Sequence, residues 1–332
     1  MAKILLTGGA GYIGSHVNLA LSETGHETVV FDNLSTGFRE LVINSELIVG
    51  DLLDKTAIDN VLKDGGFDLI AHFAAKTFVG ESVENPSKYW LNNVVGTRNL
   101  LDSMATYGPD KIVFSSSCSV YGEPIHTPIF EDHPLTPLNP YGKTKLVGEW
   151  MIEEEGAANG LKFGSLRYFN AVGADPEGRV GLLTPGHPQL LSVCLDTALG
   201  HRQCISVFGN DYPTPDGTGL RDFIHVSDLA TAHVAAAEKL LGGAESFTLN
   251  LGVGRGFSVM EVIRAVEAKC GHSLLVKVVA RREGDPAISI ADSSAAFALL
   301  DWKPRLTNID TIVETAYRWR TSNRDQDANP TR

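Results

Sequence analysis

Cysteine is scarce: Cys118, Cys194, Cys204 and Cys270 are the four in 332 residues, with no C-x-x-C pair and no accompanying histidine spacing. That argues against a zinc site and a disulfide framework, and it fits a reducing cytoplasm. Basic residues are also short, 28 Lys and Arg standing against 40 Asp and Glu for a formal charge of -12. An acidic surface lacks the cationic tracts that neutralise nucleic-acid phosphates, so nucleic acid is not an expected partner. Long apolar runs are missing as well. The stretch from Met1 to Thr7 meets glycine at once. It is too short for a signal peptide or a membrane span, so a cytoplasmic chain with no membrane partner is the expectation.

What is present is an ordinary globular composition, 43% apolar and 20% charged, over a length that suits two lobes. Short apolar or β-branched runs recur at Ile4 to Leu6, Thr28 to Phe31, Glu46 to Val49, Leu69 to His72, Ile112 to Ser115 and Phe163 to Tyr168. Helical periodicity lies between them, beginning with Ser15 to Thr24. This alternation predicts an α/β fold with right-handed crossovers, a Rossmann-type doubly wound parallel sheet that binds ligands at the carboxyl ends of its strands. After residue 170 the texture changes to long polar, Gly- and Pro-bearing segments, Gly173 to Gly186 and Asn210 to Gly219. The expected division is a dinucleotide-binding domain over 1–170 and a smaller, interleaved α/β substrate lobe over 171–332. Segments near 220–250 are expected to return to the first sheet, helices are expected at Ser258 to Cys270 and Ile309 to Arg320, and Arg324 to Arg332 should fray.

Gly8, Gly9, Gly11 and Gly14 satisfy both G-x-x-G-x-x-G and G-x-G-x-x-G directly after the first strand. Small residues there permit a tight turn, close approach of a pyrophosphate, and packing of the next helix, whose free N–H groups favour anions. Asp32 follows 18 residues beyond Gly14, at the end of the second strand. A carboxylate so placed accepts from an adenosine ribose and repels a 2′-phosphate, which favours NAD over NADP. Asp51 ends a later strand and is either an adenine neighbour or a plain loop aspartate.

Tyr141 and Lys145 are four apart and would share one face of a helix opened by Pro140. A phenolate at neutral pH needs roughly 3 units, or about 4 kcal/mol, of stabilisation, which nearby cations at an effective dielectric of about 20 can supply. Y-x-x-x-K is a low-information pattern by itself. Ser115-Ser116-Ser117 at a predicted strand end, with Ser117 24 residues before Tyr141, raises its value, because a hydroxyl there can bridge the tyrosine and a reacting oxygen.

Longer blocks carry a specific likeness: Gly8-Gly9-Ala10-Gly11-Tyr12-Ile13-Gly14, Asp32-Asn33-Leu34, His72-Phe73-Ala74-Ala75, Val120-Tyr121-Gly122, Asn139-Pro140-Tyr141-Gly142-Lys143, Leu166-Arg167-Tyr168-Phe169-Asn170, Arg221-Asp222-Phe223-Ile224-His225 and Arg281-Arg282-Glu283-Gly284-Asp285. With these the chain resembles the UDP-glucose 4-epimerases of the extended short-chain dehydrogenase/reductase superfamily over nearly its whole length. The resemblance implies an NAD-dependent nucleotide-sugar 4-epimerase, a homodimer, with Tyr141 as base, Lys145 as its electrostatic and ribose partner, and Ser117 beside the sugar O4. It implies that Gly8, Gly11, Tyr12, Ile13, Gly14, Asp32, Asn33, Thr36, Gly37, Asp51, Leu52, Phe73, Ala74, Ala75, Asn92, Ser115 and Tyr168 surround NAD. It further implies that Asn170, Gln189, Leu190, Phe208, Arg221, Arg282 and Asp285 hold a UDP-sugar, and planar guanidinium groups do suit a diphosphate.

Three positions bear on substrate. Thr77 stands where some relatives carry a lysine and is given no role. Gln189 replaces an asparagine found in many relatives, and Ser289 occupies the position of a residue that bounds the sugar 2-substituent, tyrosine in some relatives and smaller in others, so that room for an N-acetyl group is the expectation. Related dehydratases carry an Asp-Glu pair after the strand-end Ser/Thr, whereas Cys118-Ser119-Val120 follows here. A UDP-glucuronate 4-epimerase and a non-catalytic dinucleotide-binding regulator remain the alternatives.

Overall fold

The computed structural model describes residues 1–183, 186–282 and 285–322. The expected fraying of Arg324 to Arg332 lies outside the described residues. Among the described residues thirteen strands are interspersed with helices. The first six are β1 (Lys3–Thr7), β2 (Glu27–Asp32), β3 (Glu46–Val49), β4 (Leu69–His72), β5 (Lys111–Ser115) and β6 (Lys162–Tyr168). The helices between them are α1 (Tyr12–Glu23), α2 (Lys55–Gly65), the short α3 (Val79–Glu84) and α4 (Pro86–Tyr89), α5 (Gly96–Tyr107) and α6 (Pro140–Asn159). A π-turn, Trp90–Val95, joins α4 to α5.

Helix α1 begins three residues before the expected Ser15. Gly11 is its N-cap, so Tyr12, Ile13 and Gly14, which periodicity alone leaves in the loop, already form the first turn. Helix α6 is set by its own sequence: the Asn139 side chain accepts from Gly142 N–H at 2.8 Å, Pro140 fills the first turn, and Gly160 closes the far end at φ 75.

Beyond β6 come β7 (Asn170–Val172), α7 (Leu190–Ala198), β8 (Ile205–Phe208), β9 (Leu220–His225), α8 (Val226–Leu241), β10 (Phe247–Leu251) and β11 (Gly256–Ser258). Then follow α9 (Val259–Cys270), β12 (Val276–Val279), β13 (Ile288–Ser289), α10 (Ser294–Leu300) and α11 (Ile309–Ser322). Ser258 and Glu261 form a reciprocal capping box that starts α9.

The main sheet has seven strands in the order β10-β6-β5-β4-β1-β2-β3, all pairs parallel. Its two faces are covered separately. Ile4, Leu6, Val30, Ala71 and Leu166 pack with Val17 and Leu21 of α1 and with Leu229 and Ala236 of α8. Leu5, Val29, Ile70, Ile112 and Phe114 pack with Ile58 of α2, Leu100 of α5 and Ile152 of α6. Such continuous apolar strands are what a parallel sheet buried on both faces requires.

Within the interval 220–250, Leu220–His225 pairs with β7, β11 and β13 in a second sheet, and only from Val226 does the chain rejoin the main layer through α8 and β10. A third core, with Val172, Leu191, Phe223, Val262 and Ile312, lies under α7, α9 and α11.

Candidate active site

The glycine loop is too tight for side chains. A Cβ on Gly8, which has φ 76, would lie 2.4 Å from Ala74 N, and one on Gly14 would lie 2.3 Å from Gly8 O. Gly8 therefore brings the loop against the residues after β4, and Gly14 lets α1 close onto the loop. Gly11 supplies no side-chain cap to α1, so the N–H groups of the first turn receive no such partner. This is the cradle a diphosphate needs.

Asp32 is buried beside it and accepts from Ala10 N–H at 3.0 Å and Leu34 N–H at 2.8 Å. Burial pushes its carboxyl up, while those two bonds and the Lys76 charge pull it down. Asn33 donates to Asp51 Oδ2 at 2.8 Å, drawing the ends of β2 and β3 together. Gly37 packs on Ala10 so closely that a Cβ would lie 2.9 Å from its carbonyl carbon, and Thr36 beside it is exposed. The carboxyl ends of β1 to β4 thus bring a side-chain-free loop and a buried carboxylate together, and these residues fit a dinucleotide.

Not every expected cofactor residue turns a side chain to that cradle. Leu52 is buried in the core under α2, and Ile13 packs against the core under α1. Phe73 lies against His233, with ring centres 5.1 Å apart. Tyr12 donates to Gly173 O at 2.7 Å and so ties the glycine loop to the segment after β7. Asn92 donates to Asn93 Oδ1 at 3.0 Å.

At the ends of β5 and β6 the catalytic candidates converge. Ser115 ends β5 and Ser116 and Ser117 follow it, all three buried, and Tyr141 and Lys145 face them from one side of α6. Lys145 Nζ donates to Ser115 O at 2.6 Å and lies 5.0 Å above the Phe114 ring. Ser115 Oγ donates to the Tyr168 hydroxyl at 2.9 Å. Burial lowers the Lys145 ammonium to about 7, against the opposing charge of Glu149. Burial, aided by Tyr168, raises the Tyr141 phenol well above its usual value, although the contact with Ser117 opposes this. Lysine therefore does not by itself produce a phenolate here. The desolvation of a wholly enclosed phenol outweighs it.

The remaining candidates are spread over the second sheet (Asn170, Arg221 and Ser289), the start of α7 (Gln189 and Leu190) and a separate parallel pair, β8 with β12, whose strand β8 ends at Phe208. Arg221, on β9, donates to Leu220 O at 2.9 Å. Burial lowers its pKa, and the charge of Asp285 opposes that. Asn170 donates to Asp222 O at 3.0 Å, and Gln189, the N-cap of α7, donates to Ala171 O. The Arg282 guanidinium stacks 4.1 Å above the half-exposed Phe208 ring. Ser289 is buried on β13, in register with Arg221 on β9. Leu190 packs at the start of α7 in the third core.

Sequence reasoning passed over three features. Asp222 is wholly buried and accepts from Val253, Gly254 and Ala291 N–H, binding three segments of the lobe together. Glu149 and Arg167 form a buried ion pair at 2.7 Å, and Ser116 donates to Glu149 at 2.5 Å, which braces the serine run from behind. Glu149 falls on the Lys145 face one turn later, a spacing that could have flagged it. Lys76 had no such signal.

A doubly wound sheet carrying a dinucleotide cradle next to a Ser-Tyr-Lys cluster defines a nicotinamide-dependent enzyme class. Residues 4–252 match the model of the NAD dependent epimerase/dehydratase family, and the chain belongs to that family. Its likeness to the UDP-glucose 4-epimerases runs end to end. The one from Halalkalibacterium halodurans is 45% identical over 316 residues, covering 95% of each chain. The structure of UDP-glucose 4-epimerase from Brucella ovis in complex with NAD superposes with a TM-score of 0.93 at 42% identity, covering 96% of this chain and 98% of that one. The enzyme from Bifidobacterium longum in complex with NAD+ and UDP gives a TM-score of 0.91 at 37% identity, covering 98% and 99%.

Proposed function

We propose that this chain interconverts UDP-galactose and UDP-glucose through a 4-keto intermediate, using one retained NAD. The observation that carries this reading is the convergence of Ser117, Tyr141 and Lys145 beside the dinucleotide cradle. NAD, held by the glycine loop and Asp32, would supply the acceptor and donor for the C4 hydride. Tyr141 accepts the proton of the sugar 4-hydroxyl and later gives it back. Ser117 bridges the two oxygens, while Lys145, fixed by Ser115 O, favours the phenolate and is placed to hold ribose hydroxyls. Arg221 and Arg282 anchor the diphosphate, and Phe208 offers an aromatic face to the base. A firmly held diphosphate with few fixed contacts to the hexose lets the keto sugar turn over and present its opposite face.

The structure of the turn after Ser117 supports epimerisation over dehydration. Cys118–Val120 forms a 3-10 turn that carries no carboxylate, and the Cys118 thiol is pushed up to about 12 by burial, which leaves it protonated. Purified protein incubated with UDP-galactose and no added NAD should form UDP-glucose. Absence of product with or without added NAD would overturn the reading.

Ser289 extends the proposal to UDP-N-acetylglucosamine and its galactose epimer, because a small side chain there leaves space for the 2-substituent. Ser289→Tyr should then lose the acetylated sugars and keep the plain ones, whereas failure of the parent protein on both acetylated sugars would sink the idea.

The reading also includes a homodimer. Trp90, Leu91 and Val95 of the π-turn and Trp150 of α6 are 39%, 51%, 44% and 53% exposed, an apolar surface suited to a second copy. Light scattering on the purified protein should give twice the chain mass. A cytoplasmic site accords with four free cysteines. Among the described residues no helix is long and apolar enough to cross a membrane.

A further inference from the structure

Lys76 sits just past β4, and its position is fixed at the main chain. The Asn93 side chain accepts from Lys76 N–H at 2.8 Å and donates to Lys76 O at 3.0 Å, and it also donates to Thr144 of α6 at 3.0 Å. The root of this lysine is thereby locked to the helix that bears Tyr141 and Lys145. Its Nζ reaches across to donate to Ser35 Oγ at 2.6 Å, in the loop after β2.

The sheet order gives this bond its meaning. β4 and β2 flank β1, so a link between the residues that follow them crosses the carboxyl end of β1. That is the strand end from which the glycine loop departs, where the cradle described above would receive a diphosphate.

The chemistry of Lys76 points the same way. It is half-buried, and among the described residues it forms no ion pair; its ammonium is met by a neutral hydroxyl. The charges around it come from every side: Glu81 and Lys88 of the α3–α4 segment, Asp51 after β3 and Asp32 at the end of β2. Burial and Lys88 lower its pKa against the pull of the three carboxylates. A half-buried cation without a direct counter-ion, at the mouth of a site for a dianion, is placed to meet the charge of the ligand.

We propose that Lys76 and Ser35 form a clasp that closes over the diphosphate of the bound dinucleotide and retains it through successive turnovers. The proposal rests on the retained-NAD reading above. The clasp acts on release: the ammonium attracts the phosphates from the solvent side, while the hydroxyl holds the ammonium in the crossing position and links the two sides of the cradle. The loop that carries Ser35 is itself tied to the glycine loop through Phe38 N–H to Ala10 O at 2.9 Å, so opening it disturbs the cradle beneath.

The test measures NAD bound to protein purified by gel filtration, and the rate at which it appears in solution when an external dehydrogenase consumes it. Lys76→Met should release NAD about 10- to 100-fold faster than the parent, and Ser35→Ala about 3- to 10-fold faster. The double variant should be no faster than Lys76→Met, because the two groups act as one unit. Lys76→Arg keeps the cation and should restore most of the retention, which separates the clasp from a general loss of folding. Parental release rates in Lys76→Met or in Ser35→Ala would overturn the clasp, as would effects that multiply in the double variant. A parent protein that emerges without NAD would overturn the retained-cofactor reading and the clasp with it. A parent that holds NAD, with variants that hold it equally, overturns the clasp alone.

Discussion

The two halves of the site are built by different means. Around the cofactor cradle the geometry is made largely by main chain: the close approaches at Gly8 and Gly14, the glycine N-cap of α1, and the two N–H groups that hold Asp32. Around the sugar-nucleotide candidates it is made by long side chains, with Arg282 stacked on Phe208 and Arg281 stacked on Tyr212, each 4.1 Å from the ring centre. A main-chain cradle cannot relax without moving a strand, whereas a stacked arginine re-orients by rotating side-chain bonds. The contrast suits an enzyme that keeps one ligand and exchanges another.

The largest effect should come where the halves meet. Tyr141→Phe removes the proton acceptor and should lower kcat by about 10³-fold or more while NAD stays bound, as absorbance and release of cofactor on denaturation would show. Activity within tenfold of the parent would break the assignment. On the cofactor side, Gly8→Ala puts a Cβ 2.4 Å from Ala74 N at φ 76, and it should reduce stability by about 1–3 kcal/mol and empty the protein of NAD. Urea titration and cofactor content report the two losses separately.

On the substrate side the same kind of insult should be milder. Arg282→Ala should raise KM for UDP-galactose about 10- to 100-fold, with NAD content unchanged, since it removes one charged anchor and no main-chain contact. Equal damage to NAD binding from Arg282→Ala and Gly8→Ala would erase the distinction between the halves.

The last expected effect is graded with pH and falls on the fold rather than on either ligand. His72 is buried between the Thr7 and Thr97 hydroxyls at 2.6 and 2.9 Å, and burial lowers it to about 3. His225 is lowered to about 3, and His16, His187 and His233 to about 4, again chiefly by burial. Their unfolded value is near 6.5, so between pH 6.5 and 4 the unfolded chain binds protons that the native state refuses. Stability from these groups is complete above pH 6.5 and declines as pH falls toward 3. Urea midpoints should drop steadily from pH 7 to pH 5, and a midpoint that rises over that range would contradict the neutral, buried state of these rings.

Much of the main sheet was legible because its strands are short apolar runs separated by helical periodicity, both local signals. The start of α1 was misjudged by three residues, because a glycine N-cap offers no side-chain signature and glycines read as loop. Leu220–His225, expected near the returning segment, belongs to the second sheet. Its apolar residues are equally compatible with either layer, and only pairing with β7, β11 and β13 distinguishes them. Asp222 reads as an ordinary polar residue in sequence, yet it is fully enclosed and raised to about 6 by burial, its three N–H partners arriving from residues 253, 254 and 291.

The sequence by itself determined the glycine turn, the Asp32 spacing, the Tyr141–Lys145 helical face and the strand-end serines. Each is encoded within one or two adjacent elements, whose geometry follows from backbone preference and residue spacing. Only the tertiary structure decided the rest. It placed Ser289 beside Arg221, joined Lys76 to Ser35 across β1, tied Tyr12 to Gly173, and enclosed Tyr141 so that burial raises its phenol. Those outcomes depend on which groups meet across long stretches of chain and how completely water is removed from them, and burial is a property of the packed molecule.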